Sequence, residues 1–291
     1  MAILVDYSAI AVATVFSQKQ RGVGDLPFLR HMILNSLRMY HKKYRDEYGQ
    51  MVLACDTGTW RKDLFPEYKA ARRKNREESN IDWVSVYEDL NQIRDDLEKY
   101  FPYKVIAVPG AEGDDVIGAL VESFQEFGQH EPAMIISADK DFIQLQKYSG
   151  VKQFSPMTKK LVTDANPMKY LFDHILKGDA GDGVPNVLSP DNVFVVGGRQ
   201  TPLRAPVKKE IADKIVKGTL AESDPELYAR FIRNANMIDL TYIPTKIKEE
   251  IIRIYNLQTG EQTNKHIRSY LIENRCGQLI DCASDFYAKF S

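Results

Sequence analysis

The sequence predicts an α/β protein, with a mainly parallel central sheet flanked by helices and a helical region after it. Three observations predict this. Short apolar runs bounded by charge, Gly or Pro alternate with longer helical patterns as far as about Pro167. Beyond that point helical patterns follow one another without strands. Acidic residues stand repeatedly at the carboxyl ends of the strand-like runs, the edge at which open α/β sheets bind ligands.

In chain order, Ala2–Val5 reads as a buried strand ending in Asp6. Leu26–Tyr48 reads as a helix, with Pro27 suited to its first turn and Gly49 to its stop. Its apolar positions Phe28, Met32, Leu34 and Leu37 fit one face only loosely. Met51–Cys55 is a second strand ending in Asp56, and Ile81–Tyr100 is a helix stopped by Phe101-Pro102. Tyr103–Val108 is a third strand before Pro109-Gly110, and Ala111–Phe127 is a helix with Glu112, Asp114 and Asp115 in its first turn. Ala133–Ile136 is short enough to be strand or helix; Pro132 and its length favour strand. Asp139 and Asp141 follow it, before a helix over Phe142–Tyr148. A lone Asp at that place is equally a helix N-cap. Val151–Phe154 and Leu161–Thr163 read as a small hairpin around Pro156–Lys160. Met168–Lys177, Val207–Lys217, Glu226–Asn236, Lys246–Tyr255 and Lys265–Asn274 all read as helices. The connection Pro185–Pro206 resists assignment, and a loop of that length in a compact domain is expected to be functional or to mark a wrong element. Alternating strands and helices mean a mainly parallel sheet covered on both faces.

A chain of 291 residues holds one large or two ordinary domains with ample core. The net charge of −1 excludes a global basic field, so any polyanion surface must be local. Three cysteines, Cys55, Cys276 and Cys282, show neither metal spacing nor a disulfide framework, which fits a reducing compartment. The apolar stretch Ala2–Phe16 has no Lys or Arg before it and is interrupted by Asp6, against a signal peptide. No apolar run reaches the length of a membrane span.

The acidic residues carry the chemistry. Asp6, Asp56, Glu112, Asp114, Asp115, Asp139 and Asp141 each follow a predicted strand, and Asp179 and Asp182 join them from the Gly-rich turn GDAGDG. A parallel sheet places all strand carboxyl ends on one edge, so up to nine carboxylates are expected to converge. Such crowding raises their pKa values unless a cation intervenes. Hard oxygens without a His or Cys pair favour Mg²⁺ or Mn²⁺ over zinc. One such Asp could simply complement a helix dipole; the whole set would need a separate excuse for each member.

The stretch 60–76, WRKDLFPEYKAARRKNR, carries seven Lys/Arg. A helix from Glu67 onward would place Lys69, Arg72, Arg73 and Arg76 on one face with Tyr68 beside them. Basic residues beside an aromatic suit phosphate contact with base stacking. A charge run is most often a solvated face, but this one directly follows Asp56.

Together, EGDD at 112–115, SADKDF at 137–142, FPEYKAAR at 65–72, KGDAGD at 177–182 and the strand-end aspartates resemble the 5′-nuclease family, which includes flap endonucleases and the 5′ exonuclease domain of bacterial DNA polymerase I. KQFSPMTKK at 152–160 and GRQTP at 198–202 resemble its phage branch, whose members remove RNA primers. The resemblance implies a Mg²⁺-dependent 5′-3′ exonuclease and flap endonuclease with ribonuclease H activity, using two metal ions, with Mn²⁺ able to substitute. It implies a metal-dependent nuclease domain over residues 1–180 with an arch at about 60–80, and a helical duplex-DNA-binding domain over 181–291. Asp6, Asp56, Glu112, Asp114 and Asp139 fall on ligand positions near the first metal. Asp141 and Asp182, with Asp114 or Asp139 shared, fall near the second; Asp115 and Asp179 match without a settled role. Tyr68, Lys69 and Arg72 fall on the arch motif. Lys69 and Arg72 would neutralise the scissile phosphate, and Asp139 is counted with them as catalytic. Arg73, Arg76, Arg199, Arg204, Lys208 and Lys209 are the further nucleic-acid contacts.

The segment after GDAGD lacks the Gly-hydrophobic-Gly hairpin that holds a monovalent ion in many family members, so duplex contacts are expected from Gly197–Lys209. The expected partners are flap duplex DNA, RNA–DNA hybrid and single-stranded-DNA-binding protein. With the chain starting almost directly at its first strand, a sliding clamp is not among the expected partners, and the expected state is a monomer in the cytoplasm of a bacterial host. A PIN-type ribonuclease would use a similar sheet with fewer carboxylates and no basic arch. A non-catalytic DNA-binding protein would not keep every ligand position filled.

Overall fold

The computed structural model describes residues 1–19, 25–79, 81–259 and 265–287. Its sheet contains β1 (Ala2–Asp6), β2 (Gln50–Cys55), β3 (Lys104–Ala107), β4 (Ala133–Ile136), β5 (Val151–Ser155) and β6 (Lys160–Val162), in the order β3-β2-β1-β4-β5-β6. β1 to β5 run parallel, and β6 returns antiparallel to β5. Ile3, Leu4 and Val5 are fully buried, as are Met51, Val52 and Leu53. Helices cover both faces, which is why the strands are continuous apolar runs rather than alternating ones. The chain lays β2 and β3 on one side of β1 and β4 on the other. The carboxyl ends of β1 and β4, paired in register through Val5 and Ile136, therefore form the switch-point crevice of the sheet.

The molecule divides into two compact units that interleave along the sequence. The first comprises Met1–Gly58, Asp82–Thr163 and Pro244–Ser291 and holds the whole sheet. The second comprises Thr59–Ile81 and Asp164–Ile243. This differs from the expected break at 180/181. The chain after Pro244 packs with the sheet, because Ile251, Ile267, Leu271 and Phe286 are fully buried in the first unit. Gln258 also completes edge strand β3, donating to the Val105 carbonyl at 2.8 Å and accepting from its N–H at 2.7 Å. An edge strand left bare would offer those groups to another chain.

In the first unit the helix Leu26–Tyr48 begins at Asp25, whose carboxylate accepts the Phe28 N–H at 3.0 Å. It ends at Gly49, which takes a φ of 71°. Its buried face is Leu29, Ile33, Leu34, Leu37, Tyr40, Tyr44 and Tyr48 rather than Phe28 and Met32, because the tyrosines bury their rings and complete the helical period. Tyr7–Lys19 is a further helix, which follows β1 without a loop. The expected α-helix over Phe142–Tyr148 is a 3₁₀ helix over Lys140–Lys147.

The second unit is helical. Helices Pro167–Lys177 and Pro225–Ile238 enclose one apolar cluster of Phe65, Tyr68, Leu171, Ile175, Val184, Ala235, Met237 and Ile238. Leu176, Val187, Ile211, Leu220 and Leu227 form another. Residues 185–204 make a chain of turns rather than a regular element.

Candidate active site

In the first unit, β1 delivers Asp6 directly at its end. Its Oδ1 accepts the Ala9 N–H at 3.0 Å, and its Oδ2 accepts from Ser137 Oγ, also at 3.0 Å, across the crevice from the end of β4. Burial, with the Asp56 and Asp139 charges adding to it, pushes the Asp6 carboxyl up to about 7. Burial is the larger cause, and the neighbouring carboxylates act in the same direction.

Asp56, just beyond β2, is held from two sides. Its N–H donates to Ser8 Oγ at 3.0 Å and its Oδ1 accepts the Gly113 N–H at 2.6 Å. Gly113 permits this approach, since a Cβ there would lie 3.2 Å from Asp56 Oδ1 and 3.3 Å from the Ala54 carbonyl oxygen. Gly113 also opens the helix Gly113–Ser123, whose N-cap is Glu112. Asp115, fully buried, accepts the Glu112 N–H at 2.9 Å. Asp115 thus caps its helix as well as facing Glu112 and Asp114, and the carboxylate oxygens of the three lie within 4.8 Å of one another. Asp139 also caps: its Oδ1 accepts the Asp141 N–H at 2.9 Å and its own N–H donates to Ser137 Oγ at 3.1 Å. Asp115 and Asp139 thus each place a carboxylate oxygen in a helix cap.

Seven of the nine expected ligands, Asp6, Asp56, Glu112, Asp114, Asp115, Asp139 and Asp141, belong to the first unit, while Asp179 and Asp182 belong to the second. There the turn GDAGDG is closed by Val184 N–H donating to the Asp179 carbonyl at 2.7 Å. The His174 imidazole 3.7 Å away, with the Gly181 and Asp182 N–H groups, holds the Asp179 carboxyl down to about 2. His174 has no part in the sequence reading. Its signal is its place in the last turn of Pro167–Lys177, five residues before Asp179.

The basic stretch differs from expectation. Lys69 is not on a helix face. It takes a φ of 57° and donates its N–H to the Asp182 carbonyl at 2.7 Å, so the helix starts only at Ala70 and runs to Glu77. Tyr68 is buried in the apolar cluster with its hydroxyl 3.1 Å from Asp182 Oδ2, which removes its ring as a stacking platform for bases. Arg61 is also interior, donating to the Met237 carbonyl at 3.0 Å. Lys69 Nζ lies 3.5 Å from Asp182 Oδ2, and Arg72 pairs with Asp182 Oδ1. One carboxylate thus gathers the tyrosine and both cations proposed to meet phosphate. Arg76 is exposed; the Arg73 side chain lies outside the described residues. Arg199, Arg204 and Lys209 are exposed, whereas Lys208 is half-buried and bound to Asp173 at 2.7 Å.

The chain matches the family described as 5′-3′ exonuclease, N-terminal resolvase-like domain, over residues 3–172. It also matches the family described as T4 RNase H, C terminal, over residues 165–286. It is 36% identical to Ribonuclease H of Enterobacteria phage T4, an alignment covering 97% of this chain and 95% of that one. The chain belongs to the 5′-3′ exonuclease family. Its members are phosphodiesterase hydrolases, and the T4 relative lies in the phage branch suggested by the motifs. Flap endonuclease Xni of Shewanella pealeana is 28% identical over 58% of this chain and 64% of its own. Solved structures share the fold. A T5 5′-exonuclease with divalent zinc ions bound superposes with a TM-score of 0.60 at 14% identity, over 89% of this chain and 100% of that one. A bacteriophage T5 flap endonuclease complex with DNA and metal ions gives 0.59 at 14% identity, over 90% and 99%.

The donor set fits a divalent metal. The first-unit candidates are all carboxylates, and Glu112, Asp114 and Asp115 lie within ligating reach of one another. Among the described residues no helix is long and apolar enough to cross a membrane.

Proposed function

We propose that this protein is a Mg²⁺-dependent 5′-3′ exonuclease and flap endonuclease, active on RNA–DNA hybrid as well as DNA, that removes RNA primers and 5′ flaps during replication in the host cytoplasm. The observation that carries the reading is the gathering of carboxylates from β1, β2, β4 and the Gly113–Ser123 helix on the carboxyl side of one parallel sheet. In the first unit, Asp6, Asp56, Glu112, Asp114, Asp139 and Asp141 would hold two divalent ions. Bound there, the ions supply Lewis-acid stabilisation of the phosphoryl oxygens and activation of water.

The chain's own residues do the positioning. Ser137 and the Ala9 N–H aim Asp6; Ser8 and Gly113 aim Asp56; Asp115 orients Glu112 through its N–H. Asp182 holds Lys69 and Arg72 as a preformed cationic pair, so their charge needs little reorganisation when a phosphate arrives. Arg76, Arg199, Arg204 and Lys209 are exposed cations suited to the phosphate backbone, a contact that reads structure rather than sequence.

The test is cleavage of a 5′-flap DNA and of an RNA–DNA hybrid in Mg²⁺, in Mn²⁺ and in EDTA. Cleavage from the 5′ end in either metal and none in EDTA is expected. Asp139→Asn should abolish cleavage while duplex binding in Ca²⁺ persists, because the phosphate grip comes from other residues. Cleavage by this variant near the wild-type rate would take Asp139 off the ligand set, and cleavage in EDTA would overturn the metal assignment.

A further inference from the structure

The loop 185–204 is the largest irregular segment of the second unit, yet its base is as tightly bonded as a core. Asn186, buried, sits at the centre. Its Nδ2 donates to the Thr201 carbonyl at 2.8 Å, and its Oδ1 accepts from the Leu188 N–H and from Ser189 Oγ, each at 3.0 Å. Its backbone N–H donates to Gln200 Oε1 at 2.7 Å. Ser189, fully buried, then accepts the Thr201 N–H at 2.9 Å. The incoming limb is fixed as well. The Pro185 carbonyl accepts from Asn234 Nδ2 at 2.9 Å and from Arg233 Nη2 at 3.0 Å, and Arg233 also pairs with Asp191.

The outcome is asymmetric. All the hub's long-range bonds end on Gln200 and Thr201, which directly follow Arg199. Arg204, three residues on, is the N-terminal boundary of the helix Ala205–Val216. Arg199 and Arg204 are exposed, so the buried network anchors the backbone on which two exposed guanidinium groups stand. A buried, fully bonded polar network rigidifies the chain it joins, and a half-satisfied one is costly. A backbone held in advance loses less freedom on binding.

We propose that Asn186 is a positioning residue for duplex binding: with Ser189 it fixes the Thr201 backbone and the Gln200 side chain, and so presents Arg199 and Arg204 on a preformed backbone to the sugar-phosphate chain of double-stranded nucleic acid. This rests on the nuclease reading of the protein. It assigns the irregular segment a task in substrate recognition without any base reading.

The experiment measures affinity of the full chain for a fluorescent 5′-flap duplex in Ca²⁺ across a salt series, with thermal melting as the control for folding. Asn186→Asp keeps both acceptor interactions and loses the donor to Thr201. It should weaken binding about tenfold, the loss expected from one buried hydrogen bond in such a network. The slope of log affinity against log salt should also flatten by about one, as expected when a phosphate contact is lost. Arg199→Ala should do the same alone, but less than additively in the Asn186→Asp background, since Asn186→Asp already disturbs the Arg199 contact. Ser189→Ala, a smaller perturbation, should show the same flattening in miniature should Asn186→Asp prove unstable. Unchanged salt slopes in both hub variants, or full additivity of Asn186→Asp with Arg199→Ala, would overturn the proposal while leaving the nuclease reading intact. Failure of the wild type to bind the duplex at all would instead count against the nuclease reading.

Discussion

At the scale of single residues, the site is defined by how side chains hold one another. Asp182 is the clearest case, since Tyr68, Lys69 and Arg72 all reach it. Lys69→Ala and Arg72→Ala are each expected to lower single-turnover cleavage of a flap duplex by about 10²–10³, with a smaller effect on duplex affinity in Ca²⁺. Equal and modest losses of both quantities would reduce these residues to general surface charge. A different prediction concerns His41, buried in the helix Leu26–Tyr48 with Nδ1 2.9 Å from the Asp285 carbonyl. Burial, aided by the Arg45 charge, lowers its pKa from 6.5 to about 4. The unfolded chain therefore binds the extra proton between those values. His41 stabilises fully above pH 6.5, and its contribution is lost as pH falls toward 4, at a cost of about 3 kcal/mol. Urea unfolding from pH 7 to pH 4 should show this decline, and His41→Gln should flatten it. An equal decline in the variant would assign the acid sensitivity to other groups.

At the scale of elements, the turn that carries Asp179 and Asp182 depends on a backbone that a side chain resists. Gly178 takes φ 69° and ψ −179°, a region essentially restricted to glycine. A methyl there would also overlap the Val184 and Pro185 carbonyl oxygens. Gly178→Ala is expected to cost at least about 3 kcal/mol, from strain together with overpacking. It should do so by distorting the GDAGDG turn, so the measurement pairs urea unfolding with flap cleavage. A stable, fully active variant would show that the turn tolerates another geometry. Gly113 plays a related part in the first unit, where its missing side chain lets Asp56 reach the start of the Gly113–Ser123 helix. Both glycines stand inside motifs that are visible in the sequence. The contacts that require them are not, because Gly113 lies opposite the distant Ala54 and Asp56, and Gly178 lies under carbonyls that only the folded turn brings back onto it.

At the scale of the whole molecule, burial, with the Asp56 and Asp139 charges adding to it, penalises the charged form of Asp6 at the acidic sheet edge. A divalent ion bound by the folded state alone must stabilise it by mass action, by about 2.7 kcal/mol at a hundred times its dissociation constant. For a chain of this size the melting temperature should rise by about 5 °C between EDTA and saturating Mg²⁺. Asp139→Asn should reduce that rise. An unchanged melting temperature in the wild type would mean that the carboxylates do not bind the ion in the free protein.

Much was settled by local pattern. Apolar runs ending in aspartate determined the parallel sheet and the acidic set on its carboxyl side, because strand period, burial and strand polarity are all written in short segments. The caps at Asp25, Asp82 and Asn166 follow the same local logic. What the sequence alone left open was partnership. The helical pattern after Pro167 gives no sign that it divides at Pro244, since an apolar stripe declares that it will be buried and not against what. The stretch 60–76 reads as one charged surface, yet Arg61 and Tyr68 lie inside and Lys69 leaves the helix face. Tertiary bonds to Met237 and Asp182 outweigh local helical propensity there. The loop 185–204 showed no period because its order comes from the Asn186 and Ser189 side chains, which bond across a separation in sequence that no local pattern records. Tertiary structure alone decided these points, because each rests on a hydrogen bond or a buried contact between residues far apart in the chain.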